Sequence, residues 1–496
     1  MTDERMMERG AGILLPIFSL PSNYGIGTFG KAAYDFIDFL VEAGQRYWQI
    51  LPLNPTGYGD SPYNSFSAFA GNPYFIDLDI LISEGLLTNA EVDSIDFGTD
   101  PRHVDYGKLY ENRVQVLKLA KMRDTDTFAF SEFKKKTHWL EEYCLFMALK
   151  RHFGMASWLE WSDCGVRRHE EGRINHYRKM LSEDMEIYAY VQYLFFKQWK
   201  NLKAYANSRG IRIIGDIPLY VALDSVDCWS RRQEFLMDAN GKPEMVAGVP
   251  PDNFSDTGQL WGNPLYNWQR MKKNDYEWWK KRLKNAEDAY DIIRFDHFRG
   301  LESFWAIPYG MKDGMTGEWI KGPDKDFFDS VKREFPNICG IAENLGYITS
   351  EVDELLEYSG FYGMNVLQFA FTSDETNSYL PGNQKVNSVC YTGTHDNPSL
   401  SDWRNTLSDM EKSNLKKLFK NAKTIDYDIE IIIAGLKCPA QVFMAQMQDY
   451  LRLDKDSRIN YPGKNDGNWS WRMLEQEMSH GIARKIRKLA EATGRI

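Results

Sequence analysis

The chain has 496 residues, a formal net charge of −10 and an aromatic content of 14%. This length accommodates a barrel of about 250 residues together with inserted subdomains, and the aromatic excess favours a cleft for ligands with flat apolar faces, sugars among them. The acidic balance provides no general positive field for a phosphate backbone, so we expect no nucleic-acid partner.

The N-terminal segment, residues 1–12, carries five charged side chains and no apolar core of signal-peptide length. The sequence contains no uncharged run of 18 apolar residues, so we expect no membrane partner. No two of the six cysteines are spaced as CxxC or CxxxC. This scatter predicts buried thiols of a reducing compartment and argues against a disulfide framework or a zinc site. Together these features predict a cytoplasmic protein.

The first two predicted strands lie at residues 12–17 and 46–53, where apolar side chains cluster. The second strand is followed by a loop of turn-forming residues, 54–65, which carries Tyr58 and Tyr63. This loop has neither the GxxxxGK[ST] nor the GxGxxG frame that binds phosphate. It therefore indicates an aromatic-lined binding loop.

Residues 77–208 follow a helical pattern, with apolar side chains at three- and four-residue spacing and solvated charge runs between them. The segment is too long for a single connection between two strands of a barrel. It predicts an inserted helical subdomain. The chain is then divided into the start of a catalytic barrel at 1–76, the insert at 77–208 and the remainder of the barrel at 209–496.

The third predicted strand, at 211–218, ends with Asp216 near its C-terminus. A long segment rich in proline and glycine follows at 249–263 and carries Phe254 and Trp261. Long loops without regular structure inside a compact domain are usually lids or binding loops. We therefore expect an irregular active-site loop at these positions.

Three further apolar runs, at 291–300, 337–344 and 386–397, also end in ionisable side chains. Parallel strands bring their C-terminal ends to one face of a barrel, so the pattern predicts a single site there. The side chains at these strand ends are Arg294, Asp296, His297, Glu343, His395 and Asp396.

Counting all apolar runs of this kind gives eight strands, and helical patterns separate most of them. The fold class that this predicts is α/β, a (β/α)₈ TIM barrel with inserted, mainly helical subdomains. The predicted strands begin at Gly12, Arg46, Ile211, Asp291, Asn337, Asn365, Val386 and Gln441.

Carboxylates at strand ends beside arginine and histidine are compatible with a structural ion-pair network, a divalent-metal site or a site for retaining glycosyl transfer. Arg294, two residues before Asp296, would compete with a metal cation. Retaining transfer needs a carboxylate nucleophile and a carboxylic acid about 5–5.5 Å apart. Arg294 would keep Asp296 ionised, and less polar surroundings would keep Glu343 protonated.

Four short motifs at these strand ends resemble the four signatures of the alpha-amylase clan. In each motif the resemblance centres on one carboxylate. The motifs are Gly-Asp-Ile-Pro around Asp216, Arg-Phe-Asp-His-Phe-Arg-Gly around Asp296, Ala-Glu-Asn-Leu-Gly around Glu343 and Thr-Gly-Thr-His-Asp-Asn around Asp396.

Segments 55–72, 249–263 and 468–472 narrow this resemblance to the 4-alpha-glucanotransferase family, the amylomaltases or disproportionating enzymes. The resemblance covers nearly the whole chain. Phe295 and Asn344 depart from the residue types common in that family. Because neither replaces a carboxylate, we expect the departures to affect specificity more than chemistry.

The resemblance implies that Asp296 is the nucleophile, Glu343 the acid/base and Asp396 the third carboxylate, which holds sugar hydroxyls as the ring flattens. It implies no cofactor and no metal. A structural role for His297, and core packing for any single aromatic residue, are the competing interpretations. The implied substrate-binding residues are Tyr58, Tyr63, Asp216, Phe254, Trp261, Arg294, His297 and His395.

The predicted function is transfer of a segment of an alpha-1,4-glucan to the 4-hydroxyl of another glucan or of glucose by double displacement. The expected substrates are maltooligosaccharides, amylose, and dextrins of glycogen or starch. Two alternative functions differ from transfer in the fate of the covalent intermediate. An alpha-amylase-like hydrolase would pass the intermediate to water, and a catalytically silent glucan-binding protein would not form it.

Overall fold

The computed structural model describes residues 6–251, 255–420, 426–464 and 466–496. Twelve strands run through these residues, and eight of them close into a parallel barrel. The strands are β1 (Gly10–Leu14), β2 (Tyr47–Gln49), β3 (Arg212–Ile217), β4 (Met245–Val249), β5 (Gln259–Pro264), β6 (Ile292–Phe295), β7 (Ser303–Pro308), β8 (Glu318–Lys321), β9 (Gly340–Ala342), β10 (Tyr362–Val366), β11 (Ser388–Tyr391) and β12 (Val442–Gln446).

The barrel confirms the predicted fold class, and each of the eight predicted strands overlaps one of its strands, although β10 begins at Tyr362 and not at the predicted Asn365. Its strands follow one another in the order β1, β12, β11, β10, β9, β6, β3, β2, and all neighbours are parallel. Helices cover the outside, so these strands are buried on both faces and are almost continuously apolar.

Strand register brings the charged strand ends together. Asp216 of β3 stands opposite Arg294 of β6, and Phe295 of β6 stands opposite Ala342 of β9. Asp296 and Glu343 each directly follow one of these paired residues, so both carboxyls emerge at the C-terminal face of neighbouring strands. This is the face at which TIM barrels build their sites.

The prediction of an irregular loop at 249–263 is wrong in part. Strands β4 and β5 pair antiparallel within this region, and β7 and β8 extend them to a four-stranded sheet in the order β5, β4, β7, β8. Pro250, Pro251 and Gly258 belong to the connection between β4 and β5, and Gly258 adopts a φ of 65°. Turn-forming residues therefore dominated the composition of residues 249–263, which contain most of β5, whereas β4 reaches this segment only with Val249.

Nineteen helices lie within the described residues. Several begin at an aspartate whose side chain accepts the hydrogen bond of a free backbone amide, as Asp77 does from the amide of Ile80. The helices are α1 (Lys31–Glu42), α2 (Leu78–Ser83), α3 (Asn89–Asp93), α4 (Tyr106–Arg123), α5 (Thr127–Lys136), α6 (Leu140–His152), α7 (Cys164–Arg167), α8 (Glu171–Met180), α9 (Ser182–Ser208), α10 (Val226–Ser230), α11 (Trp268–Lys273), α12 (Glu277–Ala289), α13 (Asp324–Glu334), α14 (Ser350–Ser359), α15 (Leu400–Thr406), α16 (Asp409–Leu418), α17 (Tyr427–Lys437), α18 (Met447–Leu451) and α19 (His480–Ala492).

Helices α2 to α9 occupy the segment for which the sequence predicts an insert. The last of them, α9, packs against β3, α1 and α12 and so belongs in space to the wall of the barrel. The limits of the insert at 77 and 208 stay a prediction.

The cysteines are free, and five of them are buried, as the sequence predicts. Cys164 is the exception, because it is exposed at the start of α7. None of the helices in the described part of the chain is both long and apolar enough to pass through a membrane.

Candidate active site

The centre of the site is Arg294, which lies on β6 with only 1% of its side chain exposed. Its Nη1 donates to both carboxylate oxygens of Asp216, at 2.8 and 2.6 Å, and to Oδ1 of Asp296 at 3.1 Å. Its Nη2 lies 3.9 Å from Oε1 of Glu343. One buried guanidinium thus joins three carboxyls, and removing one partner of such a buried pair typically costs about 3–5 kcal/mol.

Asp296 and Glu343 have different proton affinities although they share this guanidinium. Burial raises the pKa of Asp296 to about 6, and the charge of Arg294 opposes that rise. Burial raises the pKa of Glu343 to about 8, and the neighbouring negative charge of Asp296 adds to the effect. At pH 7 Asp296 is therefore mainly ionised and Glu343 mainly protonated, which are the states of a nucleophile and an acid. Burial is the main cause of both shifts.

His297 connects the two carboxyls through its backbone. Its φ of 49° lies in the left-handed region, and its backbone N–H donates to Oε2 of Glu343 at 2.5 Å. Burial lowers the pKa of the imidazole to about 3, so the ring is neutral at ordinary pH. Its Nε2 is buried without a hydrogen-bond partner among the residues that the structure describes. The Nε2 atom is therefore an unsatisfied polar group next to the two carboxyls.

Trp261 lies on β5 and meets His297 edge to face, with ring centroids 4.7 Å apart. Its side chain is 36% exposed, and Tyr220 lies 6.3 Å from Trp261 and 6.1 Å from His297, so the three rings form one cluster. The antiparallel sheet therefore brings one of the predicted aromatic residues to the edge of the carboxyl group cluster.

Tyr63 is brought to the opposite side of the cluster by the loop after β2. Its hydroxyl donates to Oδ2 of Asp216 at 2.7 Å, and its ring stacks on His395 with centroids 5.1 Å apart and planes 16° from parallel. Trp469, a residue with a φ of 61°, packs beside both rings at 5.7 and 5.9 Å. Three aromatic side chains thus form one wall of the site.

Asp396 is held by residues from the C-terminal part of the chain. Oδ1 of Asp396 accepts from Nδ2 of Asn460 at 2.6 Å and lies 3.4 Å from Nε2 of His395. Nη2 of Arg458 donates to the backbone carbonyl of Asp396, also at 2.6 Å. The sequence did not identify Asn460 or Arg458, because the contacts span more than 60 residues; only the polar and aromatic character of the C-terminal segment hinted at them.

Asp449, a fully buried carboxyl that the sequence also did not identify, fastens the loop 392–400 that carries His395 and Asp396. Its Oδ2 accepts from Oγ1 of Thr392 at 2.5 Å, and its Oδ1 accepts from the backbone N–H of Leu400 at 2.7 Å. One side chain therefore holds both ends of the loop.

Two predicted binding residues are not placed at this cluster. Tyr58 is 95% exposed at the tip of the loop after β2, where its carbonyl accepts from the side chain of Asn64. Phe254 lies outside the described residues. Among the described residues no group of three or more His, Cys, Asp or Glu side chains is arranged to hold a metal ion, and Arg294 supplies the positive charge next to Asp216 and Asp296.

Comparisons with known proteins agree over almost the whole chain. A family model described as 4-alpha-glucanotransferase matches residues 15–477. A 4-alpha-glucanotransferase of Clostridium butyricum is 47% identical over 97% of this chain and 99% of its own length. One from Streptococcus pneumoniae is 45% identical over 99% of this chain and 98% of its own length. The solved structure of an amylomaltase from Streptococcus agalactiae, in complex with acarbose, superposes with a TM-score of 0.95 at 39% identity, covering 98% of this chain and 100% of that one.

Proposed function

Because the chain belongs to the 4-alpha-glucanotransferase family, we propose that Asp296 and Glu343 perform a retaining double displacement on alpha-1,4-glucans. The enzyme transfers a segment of such a glucan to an acceptor. The observation that carries the assignment of roles is the pair of pKa values around one guanidinium, about 6 for Asp296 and about 8 for Glu343.

In the first step the Asp296 carboxylate attacks the anomeric carbon, and the bond from that carbon to the glycosidic oxygen breaks. Glu343 gives its proton to the departing oxygen, so the leaving glucan ends in a neutral 4-hydroxyl. The donor segment remains as an ester of Asp296. Arg294 orients the attacking carboxylate through the hydrogen bond to Oδ1.

Ester formation prepares the second step electrostatically. Asp296 loses its negative charge in the ester, and that charge is one cause of the raised pKa of Glu343. The pKa of Glu343 therefore falls, and its carboxylate becomes able to take the proton of an acceptor 4-hydroxyl. The acceptor oxygen attacks the anomeric carbon, the ester bond breaks, and Asp296 departs as a carboxylate. Two inversions give net retention.

The remaining side chains position the sugar in this proposal. Asp396, partly exposed and held by Asn460, faces the site as an acceptor for sugar hydroxyls. Tyr63 and His395 form the wall beside it, and Asp216 fixes Tyr63 through the hydroxyl hydrogen bond. These contacts supply orientation, which lowers the barrier by holding the anomeric carbon near the nucleophile.

We extend the proposal to the finer substrates and to location. The acceptors are maltooligosaccharides, dextrins of amylose, glycogen or starch, and glucose, because each presents a 4-hydroxyl. The location is the cytoplasm, where the six free thiols would stay reduced. Chromatography of products formed with labelled glucose tests the acceptor, and cell fractionation with immunodetection tests the location.

The experiment that tests the assigned roles traps the ester. When a Glu343→Gln variant reacts with alpha-maltosyl fluoride, fluoride should be released and one maltosyl unit should stay on the protein. Fluoride leaves without being protonated, and the second step lacks its base. Mass spectrometry of the digested protein should place the sugar on Asp296, and Asp296→Ala should carry none. A maltosyl unit on another residue would overturn the assignment.

A further inference from the structure

Two exposed aromatic rings share one arginine. Trp319 of β8 is 38% exposed and Tyr347 is 64% exposed. The guanidinium carbon of Arg299 lies 3.9 Å from the centroid of the Trp319 ring and 5.7 Å from that of Tyr347. The two centroids are 6.5 Å apart, with ring planes 23° from parallel. We call this pair of rings the aromatic platform.

The distances show that the rings lie side by side over Arg299. If the guanidinium lay between the two rings, the distance between the ring centroids would be close to the sum of the two distances from Arg299 to the centroids. The observed separation of 6.5 Å is only slightly longer than the 5.7 Å from Arg299 to Tyr347. Arg299 therefore lies on one side of the pair, and Trp305 meets the Trp319 ring at 5.3 Å with planes 62° apart, so the exposed area that remains is 38% of Trp319 and 64% of Tyr347. A flat surface of two adjacent rings results.

Arg299 is a fixed support for this platform. It lies in the short turn Phe298–Leu301 with 5% of its surface exposed. Its Nη2 donates to Oγ of Ser303 at 3.2 Å, and Glu302 lies 3.9 Å away. Cation–π attraction holds both rings to this guanidinium. The rings are thus held in place before any ligand arrives.

The chain ties the platform to both reacting carboxyls. Arg299 follows Asp296 by three residues, and Tyr347 follows Glu343 by four. Tyr63 and His395, which form the wall at the donor sugar, approach the cluster from the loops after β2 and β11. In the proposed reaction Glu343 protonates the leaving oxygen, and Tyr347 belongs to the chain that continues directly from Glu343.

We propose that Trp319 and Tyr347 bind the acceptor glucan, and with it the leaving segment of the donor, by stacking on the apolar faces of its sugar rings. The inference rests on the proposed function, because it uses Glu343 as the marker of the acceptor side. The chemical fit is that alpha-1,4-linked glucose units present flat C–H faces, and the platform offers the exposed parts of two adjacent, nearly parallel rings.

The test separates acceptor binding from donor binding by using alpha-maltosyl fluoride. With this donor the C1–F bond breaks, its electron pair leaves with fluoride, and the leaving group occupies no acceptor site. Fluoride release in the first turnover reports the donor step alone. Transfer to maltotriose, measured over a range of acceptor concentrations, then reports the acceptor step.

Tyr347→Ala is the main variant because the side chain is the more exposed of the two, and Trp319→Ala is the second. Each should raise KM for maltotriose about three- to tenfold, because a stacking surface is lost, while first-turnover fluoride release stays at the parent value. Tyr358→Ala is the matched control. Tyr358 is as exposed as Trp319, at 38%, and its ring also contacts cations, here Lys325 and Lys332, but it lies at the end of α14, before β10.

An unchanged KM for maltotriose in both platform variants would overturn the inference, as would an equal rise in the Tyr358→Ala control. A fall in fluoride release would also contradict it, because the rings would then serve the donor or the fold. The same assay on the parent enzyme distinguishes these outcomes from failure of the proposed function. If the parent neither releases fluoride nor transfers to maltotriose, the proposed function is wrong, whatever the variants show.

Discussion

The pH dependence of transfer follows from the two raised pKa values. In the free enzyme Asp296 must be ionised and Glu343 protonated, so kcat/KM should fall as the pH drops below about 6 and again as it rises above about 8. With these values about 80% of the enzyme holds both groups in the required state at pH 7. At pH 5 or pH 9 the share is about 9%, a fall of roughly ninefold on either side.

The assay is the initial rate of glucose release from maltotriose at constant ionic strength, at donor concentrations well below KM. A matched measurement uses alpha-maltosyl fluoride and records fluoride in the first turnover. Because fluoride leaves without a proton, the alkaline limb assigned to Glu343 should disappear in this measurement. The acid limb assigned to Asp296 should stay, since the nucleophile is the same.

Two results would refute this reasoning. An alkaline limb that persists in first-turnover fluoride release cannot come from an acid that protonates the leaving group. An acid limb near the ordinary aspartate pKa of about 4 would mean that burial does not govern Asp296. Circular dichroism across the same range, as a control, separates titration of the site from unfolding.

Three further predictions concern the supports of the site. Arg294→Met should lower the free energy of unfolding by about 3–5 kcal/mol, because it leaves Asp216 buried without its partner; an unchanged denaturant midpoint would contradict this. Asp449→Ala should lower kcat at least tenfold while the far-ultraviolet circular dichroism spectrum is unchanged. The reason is that each end of the loop 392–400 loses a buried hydrogen bond worth about 1–3 kcal/mol. A kcat equal to that of the parent would show that the loop keeps its conformation without Asp449. Trp261→Ala should raise the ratio of hydrolysis to transfer, measured as reducing ends gained per glucose released, because it opens the site to water; an equal ratio in parent and variant would exclude that role.

The barrel strands were predictable because each is an apolar run bounded by turn formers, and a parallel barrel buries both faces of its strands. The placement of Asp296 and Glu343 followed from the same argument, since a side chain just after such a strand emerges at one face of the barrel. The pairing of Asp216 with Arg294 and of Phe295 with Ala342 then brings the C-terminal ends of β3, β6 and β9 together.

The partners of the site were not predictable from local pattern. Asn460 reaches Asp396 and Asp449 reaches Thr392 across about 60 residues of chain, and nothing in a window of ten residues records such a contact. The strands β4 and β5 were missed for another reason. Prolines and glycines of the intervening connection outweighed two short strands in a composition count.

The net pKa shift of Asp296 is a third property that could not be predicted from the sequence. The sequence indicated that Arg294 would hold Asp296 ionised, and the guanidinium does oppose protonation, but burial has the larger effect and raises the pKa to about 6. The depth of burial depends on the packed fold, so the sign of the net shift could not be read from the Arg-Phe-Asp spacing alone. Cys164, expected to be buried, is exposed for the same reason.

The most direct test of the central claim is the count of reducing ends during the consumption of maltotriose. Transfer to a 4-hydroxyl makes one bond for each bond broken, so the count should stay constant while chromatography shows glucose and a broad series of longer maltodextrins. An alpha-amylase-like hydrolase would add one reducing end per bond broken, and a glucan-binding protein would leave maltotriose unchanged. A steady rise in reducing ends at the rate of maltotriose loss would contradict the account.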